Sequence, residues 1–266
     1  MGPPHPPLAR AVALEHVSRQ FSGYTAVEDI SFDVAAGHFV SLVGPSGCGK
    51  STVLNIIAGL LAPSAGVVKV FEQPLAGINR RASYMFQDEA LLPWKTVLGN
   101  IQLGLTFRGR VGPDALDQAR AWIDRVGLTG FADRYPSQLS GGMRKRVAMA
   151  QAWIVQPDLI LMDEPFGALD VHTRLRMESE ILGIWGESQS TVVFVTHDLE
   201  EAISLSDEVL LLSAGPGSRV VGRYDVDLPR PRDLMDIKTE PRFHELFRGI
   251  WSDLRQEVLK SHERSA

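Results

Sequence analysis

Gly44-Pro45-Ser46-Gly47-Cys48-Gly49-Lys50-Ser51-Thr52 fits the pattern of Gly, any four residues, then Gly-Lys-Ser. Each residue type has a phosphate to serve. Glycines let the backbone curl so that successive N–H groups converge on anionic oxygens. A lysine at this spacing reaches the β- and γ-phosphates, and the following serine hydroxyl binds Mg²⁺. His38–Val43 has the composition of a buried strand entering the loop, and Thr52–Leu60 that of a helix leaving it. Strand, glycine-rich loop and helix, in that order, is the context that the motif requires.

Other polar groups stand where an open α/β sheet presents its ligands, at the carboxyl ends of strands. Ala82–Phe86 is such a strand and ends at Gln87. Leu159–Met162 ends in Asp163-Glu164, and Thr191–Val195 ends in Thr196-His197. Two acids beside an apolar strand are costly unless their charge is used. Asp163 is the expected Mg²⁺ partner, and Glu164 could activate an attacking water. Ser140-Gly141-Gly142 precedes a helix and forms either an ordinary N-cap or a second anion site. Phe21 and Tyr24, in a turn around Gly23, offer rings either for a purine base or for core or edge packing.

Composition bounds what these groups serve. The chain has 266 residues, 44% hydrophobic and 22% charged, with net charge −5 and one cysteine. That is globular material without the basic surface that nucleic acid demands. One cysteine rules out an internal disulfide and suits a reducing compartment. No apolar run approaches the length of a membrane span, and Met1–Pro7 is expected to be a disordered tail.

Strands are expected at Val12–Val17, Ile30–Val34 and Val67–Phe71, before the strand that ends at Gln87. From Asp88 to about Pro157 the pattern turns helical. Thr96 caps one helix and Pro113 opens another, while a third runs from Ser140-Gly141-Gly142 to Val155. Arg144, Lys145 and Arg146 within it offer a basic patch for nucleic acid, but so short a run reads rather as a solvated face. Leu91, Leu92 and Trp94 are either exposed anchors for a partner or lobe core. Glu208–Leu212 closes the sheet. From Phe243, apolar residues at Leu246, Phe247, Ile250, Trp251, Leu254 and Val258 follow helical spacing and predict a helix that packs back on the domain.

Taken together, these motifs resemble the ATP-binding subunits of ABC transporters over about residues 11–225. The resemblance implies an α/β P-loop NTPase with a RecA-like core, an antiparallel β edge and an inserted helical lobe at about 88–157. Residues 1–10 form the tail and 226–266 a C-terminal helical extension. It makes Gly44–Thr52 the Walker A loop, Gln87 the Q-loop glutamine and Leu139–Gly142 the signature motif. Leu159–Glu164 becomes Walker B, Asp170 part of the D-loop and His197 the switch histidine, with Phe21, or Tyr24, on adenine. Ser51, Gln87 and Asp163 would hold Mg²⁺, while Glu164, His197, Lys50 and Gln87 act on ATP. Met143 departs from the family's usual Gln after the two glycines, and Gln151 stands where Arg is common.

Tyr84–Asp88, Leu91–Trp94, Met162–Asp170, Ser213–Gly217 and Leu228–Pro231 look like the nitrate, sulfonate and taurine import ATPases. The implied assembly is a head-to-tail homodimer. It holds ATP between Walker A of one copy and the signature of the other. Partners would be integral membrane permease subunits and, indirectly, an extracytoplasmic solute-binding protein. The chain would then lie on the cytoplasmic face of the inner membrane and bind no nucleic acid. A soluble ABC-type ATPase of DNA repair or translation is the alternative. Such proteins usually carry a long coiled-coil insertion or two ATPase domains, and neither is evident here.

Overall fold

The computed structural model describes residues 9–167 and 169–265, and side chains through Ser261. The expected tail Met1–Pro7 and residue Ala168 lie outside the described residues. Contacts divide the chain into two compact units, Met1–Arg80 with Gln189–Ala266, and Arg81–Ser188.

The first unit contains two layers of strands. β1 (Arg10–Phe21), β2 (Tyr24–Ala35), β4 (Ala65–Val70) and β5 (Gln73–Pro74) pair antiparallel in the order β2-β1-β4-β5. β1 and β2 form a hairpin whose last pair is Phe21 with Tyr24. The second layer centres on β3 (Phe39–Val43), which lies parallel between β8 (Thr191–Val195) and β9 (Glu208–Leu212). All three strands are buried along their whole length, so their apolar runs cover both faces of the sheet. β10 (Val220–Asp225) pairs antiparallel with β9, so β10 rather than β9 forms this edge.

Two helices in this unit were read differently from sequence. α1 (Lys50–Ile57) stops three residues short of Leu60, with Gly59 at φ +70° just beyond its end. α6 (Leu199–Leu205) was not anticipated. Asp198 caps it, accepting from Glu200 N–H at 2.8 Å and Glu201 N–H at 3.3 Å.

The chain beyond β10 is strapped onto α6. Arg232 donates to the α6 carbonyls of Ile203 (3.2 Å) and Ser204 (3.1 Å), and to Ser206 O (2.7 Å) just past the helix. Burial pulls its guanidinium pKa down to about 10, helped by neighbouring Arg230. α7 (Pro241–Ser265) then buries Phe243, Leu246, Ile250 and Leu254 against Leu199, Ala202, Ile203 and Leu211. The expected apolar face is the one that packs back, while Trp251 stays half-exposed over Phe247.

In the second unit β6 (Ala82–Met85) and β7 (Leu159–Asp163) pair parallel, with Met85 opposite Met162. β6 is shorter and less buried than its composition suggests, and Phe86 is exposed and stacks on Tyr84. The helices are α2 (Val97–Phe107), α3 (Pro113–Arg125), α4 (Gly141–Trp153) and α5 (Val171–Ser188). Thr96 caps α2 by accepting from Gly99 N–H at 3.1 Å, and Pro113 occupies the first turn of α3.

Ile250 has no exposed surface and sits at the centre of the α7 contact. Ile250→Ala should destabilise the protein by about 2–5 kcal/mol, the cost of a large-to-small change in a closed core. Urea unfolding followed by tryptophan fluorescence measures the loss.

Candidate functional site

In the first unit the loop Gly44–Gly49 leaves the buried end of β3 and enters α1. Its shape depends on glycine at two points. Gly44 has φ +157°, and a Cβ there would lie 2.9 Å from both Cys48 Sγ and Leu212 O. Gly49, the N-cap of α1, has φ +94°, and a Cβ would meet Val27 Cγ1 at 2.7 Å. The loop is therefore closed against β2 on one side and β9 on the other, while Ser46 and Gly47 at its crest face solvent. Lys50 is 6% exposed, and its ammonium folds back over the loop, donating to Gly44 O (2.9 Å) and Pro45 O (3.1 Å). Ser51 is exposed and Thr52 half-buried at the start of α1. Curled backbone, a cation and a helix N-terminus converge here, which is the donor set that a triphosphate needs.

His197 belongs to the same edge. β3 and β8 are parallel with Leu42 opposite Val195, so Gly44 and His197 follow neighbouring strand ends. His197 is exposed on a turn fixed from both sides. Thr196 Oγ1 donates to Glu201 Oε2 at 2.6 Å and accepts from Asp198 N–H at 3.0 Å. Phe21 and Tyr24 are 43% and 46% exposed at the hairpin tip, so neither ring is core. The Arg19 guanidinium lies 4.7 Å from the Phe21 ring centre. The Tyr24 hydroxyl and Gly47 O both come within 4 Å of the Cβ direction of Gly215, which brings Tyr24 beside the loop.

In the second unit the register of β6 on β7 sends Gln87 and Asp163-Glu164 off the same edge. Tyr84 donates to Asp163 Oδ2 at 3.3 Å, and burial followed by that carboxylate pushes the phenol pKa well up. Gln87 Nε2 approaches Glu164 Oε2 at 3.5 Å. Glu164 has φ +44°, a left-handed backbone that a side chain adopts only at a cost of order 1–3 kcal/mol. Strain at the residue read as the water-activating carboxylate is what a site that over-determines its geometry would carry.

Ser140 caps α4, accepting from Met143 N–H at 3.3 Å. An open pocket of about 570 Å³ is lined by Ser140, Gly141, Gly142, Asp170, Thr173 and Arg176 among others. Asp170 accepts from Thr173 N–H at 3.0 Å, and hydrogen bonding from the Thr173 side chain first, then from its backbone N–H, holds the carboxyl pKa below the usual range. A Cβ on Gly142 would lie 2.9 Å from Thr173 Cγ2, so only glycine lets the two segments approach this closely.

Sequence reasoning missed Lys145. The run Arg144-Lys145-Arg146 is not a solvated face. Lys145 is 5% exposed and donates to Gln87 O. Burial lowers its pKa, which Glu89 and Asp88 oppose. Arg146 pairs with Glu180 at 2.7 Å, and Arg144 donates to Leu139 O at 2.9 Å. The helix after the signature glycines thus grips the backbone of Gln87. Leu91 and Leu92 are half-buried, whereas Trp94 is 71% exposed on a loop clasped by the buried Asn100 amide.

Mg²⁺ takes hard oxygen donors, and such donors stand on Ser51 in the first unit and on Gln87 and Asp163 in the second. Among the described residues no cluster of three or more His, Cys, Asp or Glu forms a metal cage of its own.

Comparison with known proteins agrees with the geometry. The ABC transporter family profile matches residues 27–167. A putative ATP-binding protein of Brucella abortus is 39% identical over 96% of this chain and 97% of its own. The taurine import ATP-binding protein of Yersinia pestis is 42% identical, over 84% of this chain and 89% of its own. A bicarbonate transport ATP-binding protein of Synechocystis is 41% identical over 92% of this chain and 38% of its own. A solved dimeric structure of a bacterial ABC transporter cassette superposes with TM-score 0.73 at 31% identity. It covers 82% of this chain and all of that one. The post-hydrolysis state of that cassette, bound to ADP and phosphate, gives TM-score 0.72.

Cys48 has no exposed surface and burial raises its thiol pKa, outweighing the opposing pull of Lys50. Alkylation of the folded protein at pH 8 should run at least ~10-fold slower than for a free thiol. Mass spectrometry against time in iodoacetamide, with and without denaturant, checks this.

Proposed function

This chain belongs to the ABC transporter family, and we propose that it is the ATPase subunit of an importer for a small solute such as nitrate, a sulfonate, taurine or a related compound. It is an ATPase that uses ATP with Mg²⁺. The observation that carries the ATPase reading is the curled loop Gly44–Gly49 with the buried Lys50 ammonium folded over it. Import is supported by the relative named for taurine import, and transport of a small solute also by the one named for bicarbonate transport. Exposed Trp94, in the segment that follows Gln87, suits a surface for a permease.

Each residue then has a task. Backbone N–H groups of Gly44–Gly49 orient the phosphates, and Lys50 offsets charge that builds on the γ-phosphate. Mg²⁺, when held by Ser51, Gln87 and Asp163, supplies further positive charge there. Glu164 positions and activates water, and His197 contacts the γ-phosphate. Phe21, or Tyr24 beside it, stacks on adenine. Ser140, Gly141, Gly142 and Asp170 present a second set of donors to ATP held by another copy of the chain, in a head-to-tail homodimer. Each surface alone is half a cradle, and the nucleotide supplies the charge that joins the two. The ATPase domain spans about 11–225, the helical lobe about 88–157 passes the change at Gln87 to the permease, and 226–266 is an extension. The complex lies peripherally on the cytoplasmic face of the inner membrane, with an extracytoplasmic binding protein choosing the solute.

A soluble ATPase of DNA repair would place a long coiled coil in the lobe. The longest described helix of the second unit is α5, at 18 residues.

Glu164→Gln is expected to keep ATP affinity and cut hydrolysis by at least ~100-fold, the size of a lost general base. Wild-type turnover in a phosphate-release assay would refute its role. Import itself is tested by affinity capture of the tagged protein from mildly solubilised membranes. A multi-span protein in stoichiometric amount is the expected companion, whereas soluble proteins or nucleic acid alone would overturn import and leave the ATPase.

A further inference from the structure

Ser213-Ala214-Gly215-Pro216-Gly217 joins β9 to β10 and touches the phosphate-binding loop along its flank. A Cβ at Gly215 would lie 3.3 Å from Gly47 O and 3.6 Å from Cys48 Cα, so the two backbones run close together with little room for a side chain between them. One residue beyond the loop, Ser218, fully buried, donates its hydroxyl to Cys48 O. Gly217 N–H donates to Thr25 O at 2.7 Å, which ties the same loop to the hairpin that carries Tyr24.

The loop is held from its other side by the C-terminal helix. Glu257 on α7 is 5% exposed, and its Oε2 accepts from Ala214 N–H at 2.9 Å across 43 residues of chain. Its other oxygen pairs with Lys260. Ile250, Leu254 and Glu257 follow one helical stripe, at i, i+4 and i+7, all buried. A leucine would suit the third position if packing were its whole purpose. A carboxylate there carries a desolvation cost that only its hydrogen bonds offset.

We propose that Glu257 is a positioning residue for nucleotide binding: through Ala214 it holds the 213–218 loop against Gly47 and Cys48 and so fixes the shape of the phosphate loop. The role presupposes that ATP binds on Gly44–Thr52. The C-terminal helix then acts as a brace of the ATP site, and a protein or ligand that lifted α7 would lower ATP affinity without touching a reacting group.

Reach and charge separate this role from a merely structural one. Glu257→Gln keeps an oxygen at the same distance for Ala214 N–H, while Glu257→Asp keeps the charge and retracts it by one carbon. In the full chain, Glu257→Ala and Glu257→Asp are expected to weaken binding of a fluorescent ATP analogue by about tenfold, the scale of one lost charge-assisted hydrogen bond. Glu257→Gln should stay within about twofold of wild type, and kcat should change by less than about threefold in all three. Hydrogen exchange of the peptide spanning 44–52, measured without nucleotide, should speed up in the Ala and Asp variants and not in Gln. If Glu257→Ala fails to fold, the Asp and Gln pair decides alone.

Unchanged affinity and unchanged 44–52 exchange in Glu257→Asp would overturn the proposal. So would a Gln variant as weak as Asp, or faster exchange confined to α7. Lys50→Ala is the separate control: if it binds the analogue as tightly as wild type, the ATP reading of the loop falls first.

Discussion

A buried ammonium needs oxygen around it, and the rest of this structure follows from where Lys50 finds it. Its partners are Gly44 O and Pro45 O, carbonyls of the loop that precedes it. Only a chain that doubles back over six residues can offer them, and only positive φ at Gly44, Gly47 and Gly49 lets it do so. A glycine-rich backbone curled in this way is also the kind whose N–H groups can serve an anion. One conformation thus settles the cation and prepares an anion site.

That conformation cannot hold itself. The loop begins where β3 ends, and β3 is locked between β8 and β9 with all five residues buried. Its flanks leave no space for a Cβ at Gly44 or Gly49, because Leu212 and Val27 stand there. The apolar strands therefore do more than fill a core. They fix the point and direction at which the loop starts, and parallel pairing delivers His197 to the same edge. In the second unit parallel β6 and β7 repeat the device for Gln87 and Glu164. The strands buried on both faces carry their charged residues only at their ends, so chemistry gathers at those ends.

This is also why so much was legible in the sequence. Groups bound by strict spacing, such as Gly44–Thr52, Ser140-Gly141-Gly142 and Asp163-Glu164, announce themselves against apolar strands. Thr96 and Pro113 mark their helices because capping is local chemistry. What stayed hidden depended on tertiary context. Arg144-Lys145-Arg146 has the composition of any solvated face, and only packing reveals that Lys145 is buried on Gln87 O. α6 was overlooked because Glu200 and Glu201 make it look like a loop, although Asp198 ahead of two acids is a readable cap signal. β10 alternates half-buried and exposed from Val220 to Asp225, and that signal was present but not used. Glu257 has, in sequence alone, the character of any charge on an amphipathic helix, and only its bond to Ala214 N–H sets it apart.

The departure at Met143 can be weighed in the same terms. Ser140 caps α4 through the backbone N–H of residue 143, so any side chain there leaves the cap intact. Gly142 must stay small because of Thr173, and that constraint is also blind to residue 143. What a glutamine would add is a polar reach from the first turn of α4. In this chain the same turn already reaches out through Lys145 to Gln87 O and through Arg144 to Leu139 O. The link between the signature glycines and the Gln87 segment thus runs through a buried cation two positions further along the helix. Losing Lys145 would remove the donor that Gln87 O has from this helix, a larger change than Met143 itself represents.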